Sequence, residues 1–81
     1  MRLHYTERFR RSYDSAPRNI QRAFDRRAAL LVNTLRHPSL RAKKYDKAND
    51  IWQARVNGGW RFYFRIVDDL YYLIDIIPHP K

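Results

Sequence analysis

Hydrophobic and polar positions alternate most regularly in the last third of the chain, IWQARVNGGWRFYFRIVDDLYYLIDIIPHPK from Ile51 to Lys81. Three runs of β-branched, aromatic and aliphatic residues are divided by Asn57-Gly58-Gly59 and by Asp68-Asp69, which predicts a three-stranded antiparallel meander. Alternation with period two sorts these side chains onto two faces. One face carries Trp52, Ala54 and Val56, then Trp60, Phe62, Phe64 and Ile66, then Leu70, Tyr72, Ile74 and Ile76. It is almost wholly apolar and is expected to face the core. The other carries Gln53, Arg55, Arg61, Tyr63, Arg65, Tyr71, Leu73, Asp75 and Ile77, and the same parity reaches His79.

Upstream the period changes. Leu3 and Tyr5 mark a short strand over Arg2 to Tyr5, and Thr6 is placed to N-cap a helix from about Glu7 to Ala16 whose apolar side is Phe9, Tyr13 and Ala16. Pro17 suits the first position of a second helix. There Ile20, Phe24, Ala28, Leu31 and Leu35 recur at spacings of three and four. Arg36 and His37 fit its last turn, and Pro38 stops it. Ser39 to Asp50 lacks apolar periodicity and forms a basic loop in which Lys43 to Tyr45 can make a short strand. The order β-α-α-β-β-β predicts an α+β fold, an N-terminal helical hairpin packed on a small, mainly antiparallel twisted sheet. The first strand is expected to join the sheet at a position the pattern does not specify.

The 81 residues are expected to form one domain, 1–81, since a chain this short has no room for two cores. It has no cysteine, so disulfides and thiolate metal sites are excluded and a reducing compartment fits. His4, His37 and His79 lie far apart without ligand spacing, so neither a metal nor another cofactor is expected. No run of apolar residues is long enough to span a membrane and no signal peptide is evident, which suits a soluble, cytoplasmic protein with no membrane partner. Seventeen basic residues against eight acidic give a net charge of +9, which calls for a polyanionic partner.

Three groups can carry chemistry. On the polar sheet face stand Arg55, Arg61, Tyr63, Arg65 and His79. Cleaving RNA through its 2′-OH needs a group to take that proton, a group to protonate the 5′-oxygen, and cations for the charge on the transition state. Histidine can move protons near neutral pH, arginine binds phosphate through two donors, and Tyr63 can stack on a base. The structural alternative is that Arg61 and Arg65 snorkel or pair with Asp75 on a wet face. Arg41, Lys43, Lys44 and Lys47 around Tyr45 suit backbone tracking and stacking on a single strand. The third group, the helix arginines Arg8, Arg10, Arg11, Arg18, Arg22, Arg26 and Arg27, provides electrostatic docking without base reading.

The order of elements and the run IWQARVNGGWRFYFRIVDD…IIPHPK resemble the RelE/ParE superfamily of small bacterial toxins, with YoeB- and RelE-type mRNA interferases the nearest comparison. The likeness covers essentially the whole chain. It lies in Trp52 and Arg55 on one strand, Trp60-Arg61-Phe62-Tyr63-Phe64 on the next, the acidic turn Asp68-Asp69 and the terminal His79. The resemblance implies the toxin of a type II toxin–antitoxin system, a metal-independent, ribosome-dependent endoribonuclease that cuts mRNA and inhibits translation. It also implies a cognate acidic antitoxin, contact with rRNA, and operator DNA only within the antitoxin complex. Arg55 falls on the family's catalytic arginine, His79 on its C-terminal histidine, and Arg61 on an arginine that is more often structural. Lys43, Lys44 and Lys47 fall in the loop where relatives carry catalytic or rRNA-binding groups. Pro80 stands where relatives have a tyrosine, and the loop has no glutamate. Both departures favour the alternative of a ParE-like, non-enzymatic gyrase inhibitor; a plain basic nucleic-acid-binding module is the third possibility.

Overall fold

A computed structural model of the chain describes residues 1–80, so Lys81 at the end of the alternating stretch lies outside it. The elements run β1 (Arg2–Tyr5), α1 (Glu7–Ser15), α2 (Arg18–Asn33), a 3₁₀ turn (Pro38–Leu40), β2 (Lys43–Asp46), β3 (Ile51–Asn57), β4 (Trp60–Val67) and β5 (Leu70–Pro78). The five strands form one sheet in the order β1-β5-β4-β3-β2. Only β1 runs parallel to its neighbour, β5; the other pairs are antiparallel. A parallel pair needs a long crossover, and everything from α1 to β4 supplies it.

Thr6 starts α1 as expected: its side chain accepts from the Phe9 amide at 3.2 Å and donates to the Leu73 carbonyl at 2.6 Å, tying the helix start to β5. The helices bury Phe9, Ile20, Phe24, Ala28 and Leu31 against Ala54, Val56, Phe62, Phe64, Leu73 and Ile76. Phe24 meets Phe62 edge to face, with ring centroids 5.1 Å apart. Burying each such ring stabilises the fold by about 2–3 kcal/mol.

The second helix departs from expectation at both ends. Pro17 is its N-cap rather than its first residue, and the helix stops at Asn33. Thr34, β-branched and extended at φ −158° and ψ 121°, ends it three residues before His37. Leu35 still packs on the core from the connecting turn. His37, held extended by the following proline, caps the 3₁₀ turn, its Nδ1 accepting from the Ser39 amide at 3.1 Å.

The β3–β4 and β4–β5 turns use the chemistry their sequences advertise. The Asn57 side chain accepts from the Gly59 amide at 2.8 Å, and Asp68 takes the left-handed conformation at φ 55°. Beyond the second turn, however, β5 does not alternate throughout. Tyr63 pairs with Asp75 and Phe64 with Leu73, which leaves Ile74 as an extra residue, a β-bulge. The bulge inverts the expected faces of the first half of the strand. Tyr71 and Leu73, expected on the polar face, are buried in the core, whereas Leu70, Tyr72 and Ile74, expected there, are only partly buried. Beyond the bulge Ile76 faces the core and Ile77 does not, as expected.

Candidate functional site

The helices cover one face of the sheet, and the other is open. Arg55 and Arg61 are direct cross-strand partners in β3 and β4, and Gln53 opposes Tyr63 one step further along. On the far side of β3, Lys43 of β2 pairs with Gln53, so the same alternation brings it to this face. Arg41 enters from the end of the 3₁₀ turn, and His79 from the chain just beyond β5. The His79 amide donates to the Gly59 carbonyl at 2.7 Å, which holds the terminal segment against the β3–β4 turn. Together Arg41, Lys43, Gln53, Arg55, Arg61 and His79 line a cavity of about 300 Å³.

Its electrostatics are one-signed. The Arg55 guanidinium is destabilised in its charged form, foremost by the neighbouring charge of Arg41, then by partial desolvation, then by Arg61 and Arg27; its pKa is lowered from the ordinary arginine value. Like charges set this close repel, and an anion in the cavity would relieve them. Arg61 spends its guanidinium otherwise: one terminal nitrogen donates to the carbonyls of Asn57 at 2.6 Å, Trp60 at 3.0 Å and Gly58 at 3.4 Å. It braces the turn while lending charge to the cavity wall.

Other sequence candidates are spread more widely. Lys44 alternates onto the opposite face, where its ammonium lies 5.0 Å over the Trp52 ring and pairs with Asp50. Lys47 is exposed in the β2–β3 turn, away from the cavity. That turn is acidic in part. The Lys44 hydrogen bond and charge lower the pKa of Asp50, with a smaller push from Arg65, which is itself exposed on β4. Tyr45 and Tyr63 come together, rings edge to face with centroids 5.0 Å apart, beside the cavity rather than in it. Neither Arg61 nor Arg65 pairs with Asp75. Arg8 reaches round from α1 to take that carboxylate, its Nε donating at 3.1 Å and Nη2 lying at 3.0 Å.

Two wall residues stood out little in the sequence. Arg41 was one charge in a basic loop, and Gln53 one polar residue on the open face. What distinguishes Arg41 is its backbone, left-handed at φ 46° and ψ 42°, a conformation invisible in a string of residues. No group of three or more histidine, cysteine, aspartate or glutamate side chains among the described residues is arranged to hold a metal. Among the described residues, no helix is long and apolar enough to cross a membrane.

No protein-family model matches the sequence, and no curated protein matches it either. Solved structures do. YafQ from E. coli strain BL21(DE3) superposes with a TM-score of 0.80 at 17% identity, over 95% of this chain and 91% of that one. The fold is that of the RelE-type toxins. The isolated E. coli RelE toxin matches at a TM-score of 0.76 and 12% identity, covering 98% of this chain and 84% of RelE. The toxin–antitoxin complex RelBE2 from Mycobacterium tuberculosis matches at 0.75 and 22% identity, covering 95% of each chain. The expected α+β architecture with its helical hairpin on a mainly antiparallel sheet is therefore the RelE-like one, and β1 occupies its edge beside β5.

Proposed function

We propose that the protein is the toxin of a type II toxin–antitoxin pair, a ribosome-dependent endoribonuclease that cuts mRNA. The observation that carries this is the cavity on the open sheet face, where Arg41, Lys43, Arg55 and Arg61 surround a space that His79 also lines. A site with four cations, one imidazole and no carboxylate lining it suits a phosphodiester.

The 2′-oxygen of the substrate attacks the adjacent phosphorus while its proton passes to a base. The bond from phosphorus to the 5′-oxygen breaks, and an acid protonates the departing oxygen, leaving a 2′,3′-cyclic phosphate and a 5′-hydroxyl. His79 serves one of the two proton transfers. Arg55 binds the non-bridging oxygens as their charge grows, an electrostatic contribution that need not be reorganised during the reaction. Arg61 and Arg41 reinforce it, and Lys43 positions the strand. Lys47, Arg65 and the exposed helix arginines add sequence-independent attraction to rRNA; Lys44, turned to the other face, contributes charge without entering the site.

The natural partner is an acidic antitoxin, whose flexible segment would cover the cationic face and block it. That structures of this fold include toxin–antitoxin complexes supports the assignment.

The decisive experiment is induced expression with primer extension on abundant messages. Cuts inside reading frames that disappear when translation is blocked support the ribonuclease. Growth arrest without cuts, together with inhibition of DNA supercoiling by the purified protein, would select gyrase inhibition instead. Binding to nucleic acid with no effect on growth would leave a basic binding module.

A further inference from the structure

A second hollow, of about 210 Å³, lies on the same open face, lined by Tyr45, Ile51, Tyr63, Ile74 and Ile77 together with Arg8 and Asp75. Two bulges help to build it. On β2, Lys44 pairs with Trp52 and Asp46 with Ile51, so Tyr45 is the extra residue; on β5 the extra residue is Ile74. Bulges re-aim side chains, and here one lies on each side of Tyr63.

The result is an aromatic and aliphatic platform left open to solvent. Tyr45 is 61% exposed although its ring abuts Tyr63, and Ile77 is 38% exposed. Tyr63 is fixed from beneath, its hydroxyl accepting from Gln53 Nε2 at 3.1 Å. Gln53 is also a wall of the cationic cavity, so a single hydrogen bond links a wall of one hollow to a wall of the other. The single acid at the platform, Asp75, is buried and neutralised by Arg8, so it offers a polyanion little repulsion.

We propose that this platform is a base-stacking subsite for single-stranded RNA, taking the base of a nucleotide whose phosphate lies in the Arg55 cavity. The Gln53–Tyr63 pair sits one two-residue step from the Arg55–Arg61 pair, roughly 7 Å along the strands. That is the scale of the reach from a phosphate to a neighbouring base in an unstacked strand. A flat apolar surface with cations at one end matches a nucleotide, a flat π-system joined to an anion. An aliphatic peptide would find the hydrophobic part but no use for the charge. The identity of the strand as RNA rests on the ribonuclease assignment; stacking itself does not.

The test uses the full-length protein and a short single-stranded RNA, 2′-O-methylated throughout so that it cannot be cleaved, with 2-aminopurine at one position at a time. Binding should quench the probe at one preferred position. Tyr45→Ala should raise Kd about tenfold without changing its salt dependence, while Tyr45→Phe stays within about twofold. Removing the base at the quenched position should cost the same factor, and combining that with Tyr45→Ala should add nothing further. Arg55→Ala should instead lower the salt slope by about one. Unchanged RNA affinity in a folded Tyr45→Ala protein, or equal losses at every abasic position, overturns the subsite. So does a Tyr45→Ala variant that loses only its grip on an acidic protein partner, since the platform would then belong to that partner. Binding with position-specific quenching but no cleavage on the ribosome would retire the nuclease and keep the platform; cleavage with Tyr45 immaterial would do the reverse.

Discussion

Arg55 and Arg61 face each other directly across β3 and β4, two permanent positive charges in one cross-strand pair. Like charges in that position destabilise a sheet. Arg61 is anchored by three carbonyls of the adjoining turn, and among the described residues no ion pair reaches Arg55. The pair thus separates into a brace and a free cation aimed into the cavity. Such an arrangement is disfavoured in the empty protein and favourable around an anion.

Arg55→Ala should accordingly cut cleavage by about a hundredfold or more, the scale of losing one transition-state donor. Its stability should not fall, since the side chain supports nothing else and its loss relieves the repulsion with Arg61. Denaturant titration beside a cleavage assay checks both; a folded Arg55→Ala protein with undiminished activity would remove Arg55 from the site.

Arg61→Ala should behave in the opposite proportion. Losing the charged donors to the turn should cost about 1 kcal/mol, discounted because the group is partly exposed, and lower the urea midpoint. The His79 segment hangs on the same turn through Gly59, so activity should fall as well, though less than for Arg55→Ala.

At Arg41 charge and backbone can be tested apart. Its left-handed conformation is disfavoured for any residue with a Cβ and free for glycine. Arg41→Gly should hold stability within about 1 kcal/mol of the parent, and Arg41→Ala should be the less stable of the two. Both should lose activity alike, because the same cation has left the cavity. If only the alanine variant loses activity, Arg41 acts through loop geometry rather than charge.

Tyr71 gives a pH signature. Burial raises its pKa above 10.0, because the phenolate is less well solvated there than in water. A folded-state pKa raised above the unfolded one contributes stability that is fully present below the unfolded value, about 10, and lost as pH rises through the folded value. Thermal melts should therefore show stability falling above about pH 10. Tyr71→Phe should leave the neutral-pH melting temperature nearly unchanged and soften that alkaline loss.

Much of this molecule was legible in its residues because the informative patterns were local. Thr6 before Glu7 and Phe9 is an N-cap in any context. Arg55, Arg61 and Tyr63 fall on one face because alternation within an unbulged stretch of β3 or β4 depends on nothing outside it. The helical spacing of Ile20, Phe24, Ala28 and Leu31 likewise states which side is buried. So the α+β order and the cationic open face could be read off directly, and Arg55, Arg61 and His79 do meet around one cavity.

Pairing decided the rest. A bulge exists only where one strand carries a residue more than its neighbour, so neither Tyr45 nor Ile74 announces itself in a single run. Each is defined by the register of the strand beside it. The inversion of Tyr71 and Leu73 into the core, the platform around Tyr63 and the capture of Asp75 by Arg8 across 67 positions of sequence all follow from such long-range matches. Residue types and their spacing determined which cationic side chains were available on the open face. Which of them converge was left to the tertiary structure, because convergence is a property of registers and crossings between elements and not of any one element.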